Sequence, residues 1–369
     1  MGKVEKTDKS LCVFSGIVDK PLTVAILISD VKGAAKKDLK ERLSGGEIDL
    51  IIGTHALIQK EVRFSKLGLV VVDEQHRFGV EQRSALRQKG YNPHMLVMTA
   101  TPIPRTLALT LYGDLDLSVI DELPPGRQEI KTKWFSPSQR ESAYKFLRKQ
   151  VSEGHQAFII CPLVEESDSV QAKAAVAEYE RLSTQVFPDL RLALLHGRMP
   201  AAQKEAVMGA FNRHECDVLV STPVVEVGID VPNATVMMIE SADRFGLSQL
   251  HQFRGRVGRG ESQSYCMLMA ENPSDIGKLR LDIIETTQDG FKLADEDLKL
   301  RGPGEFFGTR QSGLPDLRMA KLSDTALLEL ARSEAVKLFE TDADLKTPED
   351  RALAKELTRV WGQKSGEWS

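Results

Sequence analysis

The 369 residues leave room for two or three domains of roughly 100 to 150 residues each, so sizeable cores can be buried. With 41% hydrophobic and 28% charged residues and a formal net charge of -4, the composition excludes a basic tail or polycationic surface. Any nucleic-acid contact must therefore come from a local groove. Four cysteines, Cys12, Cys161, Cys216 and Cys266, stand apart without a CxxC spacing and read as buried thiols of a reducing compartment, not as disulfides or zinc ligands.

In chain order, Lys3, Lys6 and Lys9 precede an apolar stretch at 11–18, but Glu5, Asp8 and Asp19-Lys20 interrupt the pattern of an export signal and no cleavage site follows. No run approaches the ~18 apolar residues of a membrane span. Short, nearly continuous apolar runs follow at 22–28, 48–52, 69–72 and 95–98, with a lysine-rich helical stretch at 34–43. Such runs separated by amphipathic segments predict parallel strands buried between helices. Beyond Pro124-Pro125-Gly126, a linker signal, the pattern restarts at 157–160, 192–195, 218–220, 236–239 and 265–269. Residues 279–300 and 325–339 read as helices around a Gly/Pro-rich segment at 301–315. The expected organisation is α/β: a first unit over 1–126, a second over 127–272 and a helical and loop region over 273–369.

In open α/β sheets, ligands sit at the carboxyl ends of strands, so the polar residues that close each apolar run are the ones to inspect. The run at 69–72 ends in Asp73-Glu74-Gln75-His76. One carboxylate suits a Mg²⁺ that bridges nucleotide phosphates, and its neighbour suits activation of the attacking water; an acidic helix cap explains the pair equally well. The next run closes in Thr99-Ala100-Thr101-Pro102, a hydroxyl-bearing turn suited to relaying the state of those carboxylates, or an ordinary strand exit. Gly53-Thr54-His55 and the stretch from Ser221 through Thr222 and Gly228 to Asp230 offer hydroxyls and amides to a nucleic-acid phosphate. Asp230 suits a nucleotide ribose or the arginines that follow. Those arginines lie in Gln252-Phe253-Arg254-Gly255-Arg256-Val257-Gly258-Arg259, where glycines relieve the backbone for close approach to a phosphate. A solvated basic turn is the plainer account.

Taken in order, these segments resemble the motifs of superfamily 2 helicases. The wording from Asp73 to Val80, from Met98 to Leu107 and from Asp297 to Gly313 is similar to RecG-type helicases, from about Val31 to Leu322. That resemblance implies two RecA-like domains that clamp ATP with Mg²⁺ and move on DNA, the first cut short at its beginning. Asp73 would hold the metal, Glu74 would activate water, and Arg256 and Arg259 would face the γ-phosphate. Gln252, Asp230, Gly228 and Thr101 would support the nucleotide, while Gly53, Thr54, His55 and Thr222 would meet nucleic acid. Thr99, Arg301, Arg310 and Gln311 would couple hydrolysis to movement. It further implies branched DNA as partner, possible contacts with other replication or repair proteins, a monomer, no membrane, and a bacterial cytoplasmic setting.

One element of the pattern is missing. The sequence holds no GxxxxGK[ST], whose amides and lysine cradle phosphates. The expectation is therefore a carboxy-terminal motor portion with a truncated first domain, residues 1 to about 20 unmatched, and poor ATP hydrolysis by the isolated chain. A non-catalytic DNA-binding or regulatory module, a fragment of a transcription-repair coupling translocase, and a defective fragment that folds poorly are the competing readings.

Overall fold

The computed structural model describes residues 3–8, 10–16, 18–28, 31, 33–74, 80–100, 116–122, 124, 126–162, 168–226, 230–301 and 325–361. The chain divides into two compact units, Met1–Thr101 and Pro102–Ser369.

In the first unit, β1 (Lys3–Asp8) and β2 (Leu11–Ser15) form an antiparallel hairpin, and β2 pairs antiparallel with β3 (Leu22–Leu27). The first parallel pairing is β3 with β4 (Leu50–Gly53). The hairpin escaped the sequence reading because β1, KVEKTD, has almost no apolar residue to mark it. Between β3 and β4 runs α1 (Gly33–Gly45), whose Leu39 and Leu43, one turn apart, pack on Ala25 and Leu27. A separate parallel pair, β5 (Leu69–Val72) and β6 (His94–Val97), is joined through α2 (Val80–Arg87) and buries Val70, Val72 and Leu86.

Continuous apolar runs predict strands covered on both faces, yet alternate residues of this unit stay exposed: Leu69 at 61% and Val71 at 52%, with Ile26, Ile52 and Leu96 alike. In β4, β5 and β6 only one face is packed.

The second unit is built on a six-stranded sheet in the order β7-β12-β11-β8-β10-β9, parallel at every pairing. Its strands are β7 (Lys131–Phe135), β8 (Gln156–Ile160), β9 (Leu192–Leu195), β10 (Val218–Ser221), β11 (Ala234–Ile239) and β12 (Tyr265–Met269). Central β8, β10 and β11 are buried throughout, as their unbroken apolar sequences require. Edge strand β7, KTKWF, escaped notice because it opens with three consecutive polar residues, Lys131-Thr132-Lys133.

One face carries α3 (Arg140–Ser152) and α4 (Asp168–Arg181) over a core that includes Tyr144, Leu147, Ile159 and Phe187. The opposite face is covered by α5 (Ala201–Asn212), α6 (Leu247–Arg254), α7 (Asp275–Thr286) and α8 (Gly290–Arg301). Phe211, Leu250, Phe253, Leu281, Ile284 and Leu293 pack together there.

The stretch at 279–300, expected as one helix, is broken into α7 and α8. A cap at the break restarts the helix: Asp289 Oδ1 accepts from Phe291 N at 2.8 Å to start α8, while Ser274 Oγ, accepting from Gly277 N at 3.1 Å, caps the other end of α7. Two more helices, α9 (Thr325–Asp342) and α10 (Arg351–Trp361), follow; α10 was not foreseen. No helix among the described residues is long and apolar enough to cross a membrane.

Candidate functional site

In the first unit the singled-out residues stand where parallel strands end. Gly53 closes β4, and a Cβ there would lie 2.4 Å from the Leu27 carbonyl oxygen, so only glycine lets β4 end this close to β3. Thr54 and His55 follow it on the surface, at the start of a short 3-10 turn, His55–Ile58. Asp73 leaves β5 exposed, and its Oδ1 accepts from Glu74 N at 2.8 Å. Glu74 is half-buried and sits at φ 52, in the left-handed region, a conformation that costs a non-glycine residue on the order of 1 kcal/mol. Met98 N donates to Val72 O at 2.8 Å, which carries the β5–β6 pairing one step further; in that register Met98 falls opposite Asp73 and Thr99 opposite Glu74. Thr101, Gln75 and His76 lie outside the described residues.

Asp73 is exposed, and its bond to Glu74 N uses Oδ1. Among the described residues no group of three or more His, Cys, Asp or Glu gathers to hold a metal. A single carboxylate nonetheless suits Mg²⁺, which is usually held by one or two carboxylates together with substrate phosphates and water.

In the second unit the arginine motif begins in α6 and continues into a loop. Gly255 caps α6, Gly258 adopts φ 74, and a Cβ on Gly260 would lie 2.6 Å from Pro232 O. Glycine at these positions lets the loop turn back tightly against its neighbours. Arg259 Nη1 pairs with Asp230 Oδ1 at 3.2 Å, so of the two roles open to Asp230 the structure places it on the arginine. Asp230 is well exposed and Arg259 about one-third exposed, an arrangement that a competing phosphate can open at little cost. Arg256 is buried, at 9% exposure, and Gln252 is half-buried. Thr222 is also buried; its N–H donates to Leu195 O at 3.2 Å, so its backbone is committed to the strand edge. Arg301 ends α8, while Gly228, Arg310 and Gln311 lie outside the described residues.

Two features were passed over in the sequence. Arg254 stands in the arginine motif and was given no role of its own; it is 2% exposed and donates to the carbonyl oxygens of Ile284 at 3.0 Å, Thr287 at 2.8 Å and Gln288 at 3.3 Å. Its Nη2 also meets His251 Nδ1 at 3.0 Å. Arginine has only donors, so Nδ1 accepts and the ring proton sits on Nε2. Burial, with the Arg254 charge beside it, pushes His251 down to about 4, and burial lowers Arg254 as well. The other omission is His196-Gly197-Arg198 at the carboxyl end of β9. The polar residues after that apolar run were the available signal.

Two α/β units, each with its polar motifs at strand ends, define the tandem RecA-like architecture of helicase motors. The DEAD/DEAH box helicase model matches residues 12–110, and the helicase conserved C-terminal domain model matches 139–261. A third model, ATP-dependent DNA helicase RecG, domain 3, C-terminal, matches 287–369.

More particularly, the chain is 52% identical over 339 residues to the ATP-dependent DNA helicase RecG of Bacillus subtilis (strain 168), covering 92% of this chain and 50% of that protein. It is 50% identical over 355 residues to that of Aquifex aeolicus (strain VF5), covering 94% and 44%. The chain thus spans about half the length of the curated relatives it matches. Among solved structures, RecG bound to a three-way DNA junction is similar at 48% identity and TM-score 0.64, over 83% of this chain and 39% of that one. Mss116p bound to single-stranded RNA and AMP-PNP, at 18% identity and TM-score 0.53 over 75% and 60%, shares the fold.

These matches correct one expectation. The chain was read as a carboxy-terminal motor fragment with a cut-short first domain and an unmatched beginning. The DEAD/DEAH match starts at residue 12, and relatives align over 92% and 94% of the chain, so the likeness runs through the first unit. The expectation rested on the missing GxxxxGK[ST] and on a beginning without a recognisable motif, neither of which bears on the rest of the first unit.

Proposed function

We propose that this chain is the motor part of an ATP-dependent DNA helicase or translocase that acts on branched DNA in recombination and repair, in a bacterial cytoplasm. The observation that carries the reading is the 48% identity to RecG bound to a three-way junction, over 83% of this chain. Asp73 holds the Mg²⁺ that accompanies ATP, and Glu74, in its constrained turn, orients the attacking water. When bound, the metal neutralises charge on the phosphates. Arg256 and Arg259 contact the phosphate, with Asp230 as the resting partner of Arg259 and Gln252 in support. Gly228 and Thr101 belong to the same nucleotide set. Gly53, Thr54, His55 and Thr222 contact the DNA backbone; Thr99, Arg301, Arg310 and Gln311 couple hydrolysis to movement. The working divisions are 1–126, 127–272 and 273–369.

With no GxxxxGK[ST] in the sequence, turnover by the isolated chain is expected to be slow. Phosphate release measured with and without a three-way junction tests the reading. DNA-stimulated hydrolysis that falls at least about a hundredfold in Glu74→Gln supports the assigned chemistry. Hydrolysis that ignores both DNA and the substitution excludes it.

A further inference from the structure

Arg254 is a buried cation whose described partners are carbonyl oxygens and one imidazole nitrogen. Its acceptors Ile284 O and Thr287 O lie at the carboxyl end of α7, where unpaired carbonyls carry partial negative charge. A planar guanidinium offers five N–H donors in a fixed fork and so reaches several such acceptors in one set geometry, where an ammonium has three donors about a single nitrogen. Arg254 thereby fastens the end of α6 to the α7–α8 turn. Further along α6, Ser248 Oγ lies 3.4 Å from Asp297 Oδ2 of α8.

The other side of the arginine loop is fastened to the segment that leads into β7. Arg127 Nε donates to Gly258 O at 2.9 Å, Gln128 Nε2 to Glu261 O at 2.8 Å, and Gln263 Nε2 to Glu129 O at 2.7 Å. Lys131 N donates to Ser264 O at 3.0 Å. A last bond closes the circuit: Gln288 Nε2, in the α7–α8 turn, donates to Ile130 O at 2.8 Å. The segment at 127–131, the stretch from Arg254 through its loop to Ser264, and the turn at 284–289 are therefore each bonded to the other two, the stretch reaching the turn through Arg254 itself.

We infer that Arg254 is a positioning residue for Arg256 and Arg259, and that this three-membered ring transmits displacement of their loop to both the entry segment at 127–131 and the start of α8. The inference rests on the reading that these arginines act on a nucleotide phosphate. A loop held at both edges has no slack in which to absorb a shift locally. Movement of the loop must pull on Asp289 and Gly290, from which α8 runs to Arg301, and on Ile130, where β7 begins.

The test is hydrogen exchange, read by mass spectrometry on the full chain, in Arg254→Lys and Arg254→Met. Loss of the charge-assisted bonds is expected to speed exchange about tenfold at 255–262 and 286–291. The decisive readout is acceleration at 127–131, which Arg254 does not touch, while β8 and β11 stay within about twofold of the wild type. Arg127→Met is the reciprocal variant, expected to speed exchange at 286–291, and with Gln288→Ala it carries the test where the Arg254 variants do not fold.

Effects confined to the substituted contacts, or uniform acceleration of the sheet, would overturn the inference. Where the wild type turns over ATP, the Arg254 variants are expected to lose about tenfold in kcat with KM for ATP within about twofold, since ground-state binding is left in place. A wild type without turnover counts against the proposed activity, and the exchange result still decides the ring.

Discussion

The Asp230–Arg259 pair would keep the proposed phosphate site ready without locking it. Both groups are exposed enough for water to screen their attraction, and such pairs contribute about 0–1 kcal/mol. Asp230→Asn is expected to change the unfolding free energy by less than about 1 kcal/mol while altering nucleotide affinity, because Arg259 loses its resting partner. Denaturant titration beside fluorescent ATP-analogue binding checks this; a large stability loss would assign the pair to the scaffold. His251 makes a second prediction. Its folded pKa, about 4, lies below the ordinary histidine value, so the neutral ring favours folding at pH above about 6.5. That stability is lost as pH falls from about 6.5 towards 4, where the folded form must also accept a proton beside Arg254. Thermal midpoints measured from pH 7 to 4 should fall more steeply for the wild type than for His251→Gln.

At the scale of elements, the α7–α8 break and the bare strands of the first unit carry the information. Asp289 caps α8 through Phe291 N, so Asp289→Ala is expected to lower stability by about 1 kcal/mol, measured by denaturant unfolding, and Asp289→Asn by less. The Asp-Gly pair after Gln288 was the sequence sign of this break, overlooked because the apolar spacing runs on through it. In β5, Leu69 and Val71 expose apolar side chains while Val70 and Val72 are buried. Leu69→Lys is expected to reduce binding of a hydrophobic dye with little change in melting temperature, whereas Val70→Lys unfolds the unit. A Leu69→Lys chain that melts as early as Val70→Lys would show that this face is covered in solution.

For the molecule as a whole, a net charge of -4 means that the proposed DNA affinity would have to be local and salt-dependent. Binding to a three-way junction is expected to weaken about tenfold or more as salt rises from about 50 to 200 mM, and to exceed binding to linear duplex of equal length. Equal affinity for both forms would remove the branch preference from the proposal. The strands of the second unit were legible in sequence because a parallel sheet covered on both sides demands unbroken apolar runs, as in QAFII and ATVMMI. Asp73 and Glu74 were legible as strand-end positions because the apolar run at 69–72 stops there. Charged β1 and β7, which opens on three polar residues, were not, since edge strands need no such run. Sequence alone thus determined the α/β class and the polar residues that close its strands. Tertiary structure decided what each arginine does: in one eight-residue motif, Arg254 turns inward to helix carbonyls and Arg259 outward to Asp230. Which way a guanidinium points depends on acceptors about 30 residues away, Ile284, Thr287 and Gln288, and spacing along the chain does not encode where those carbonyls come to lie.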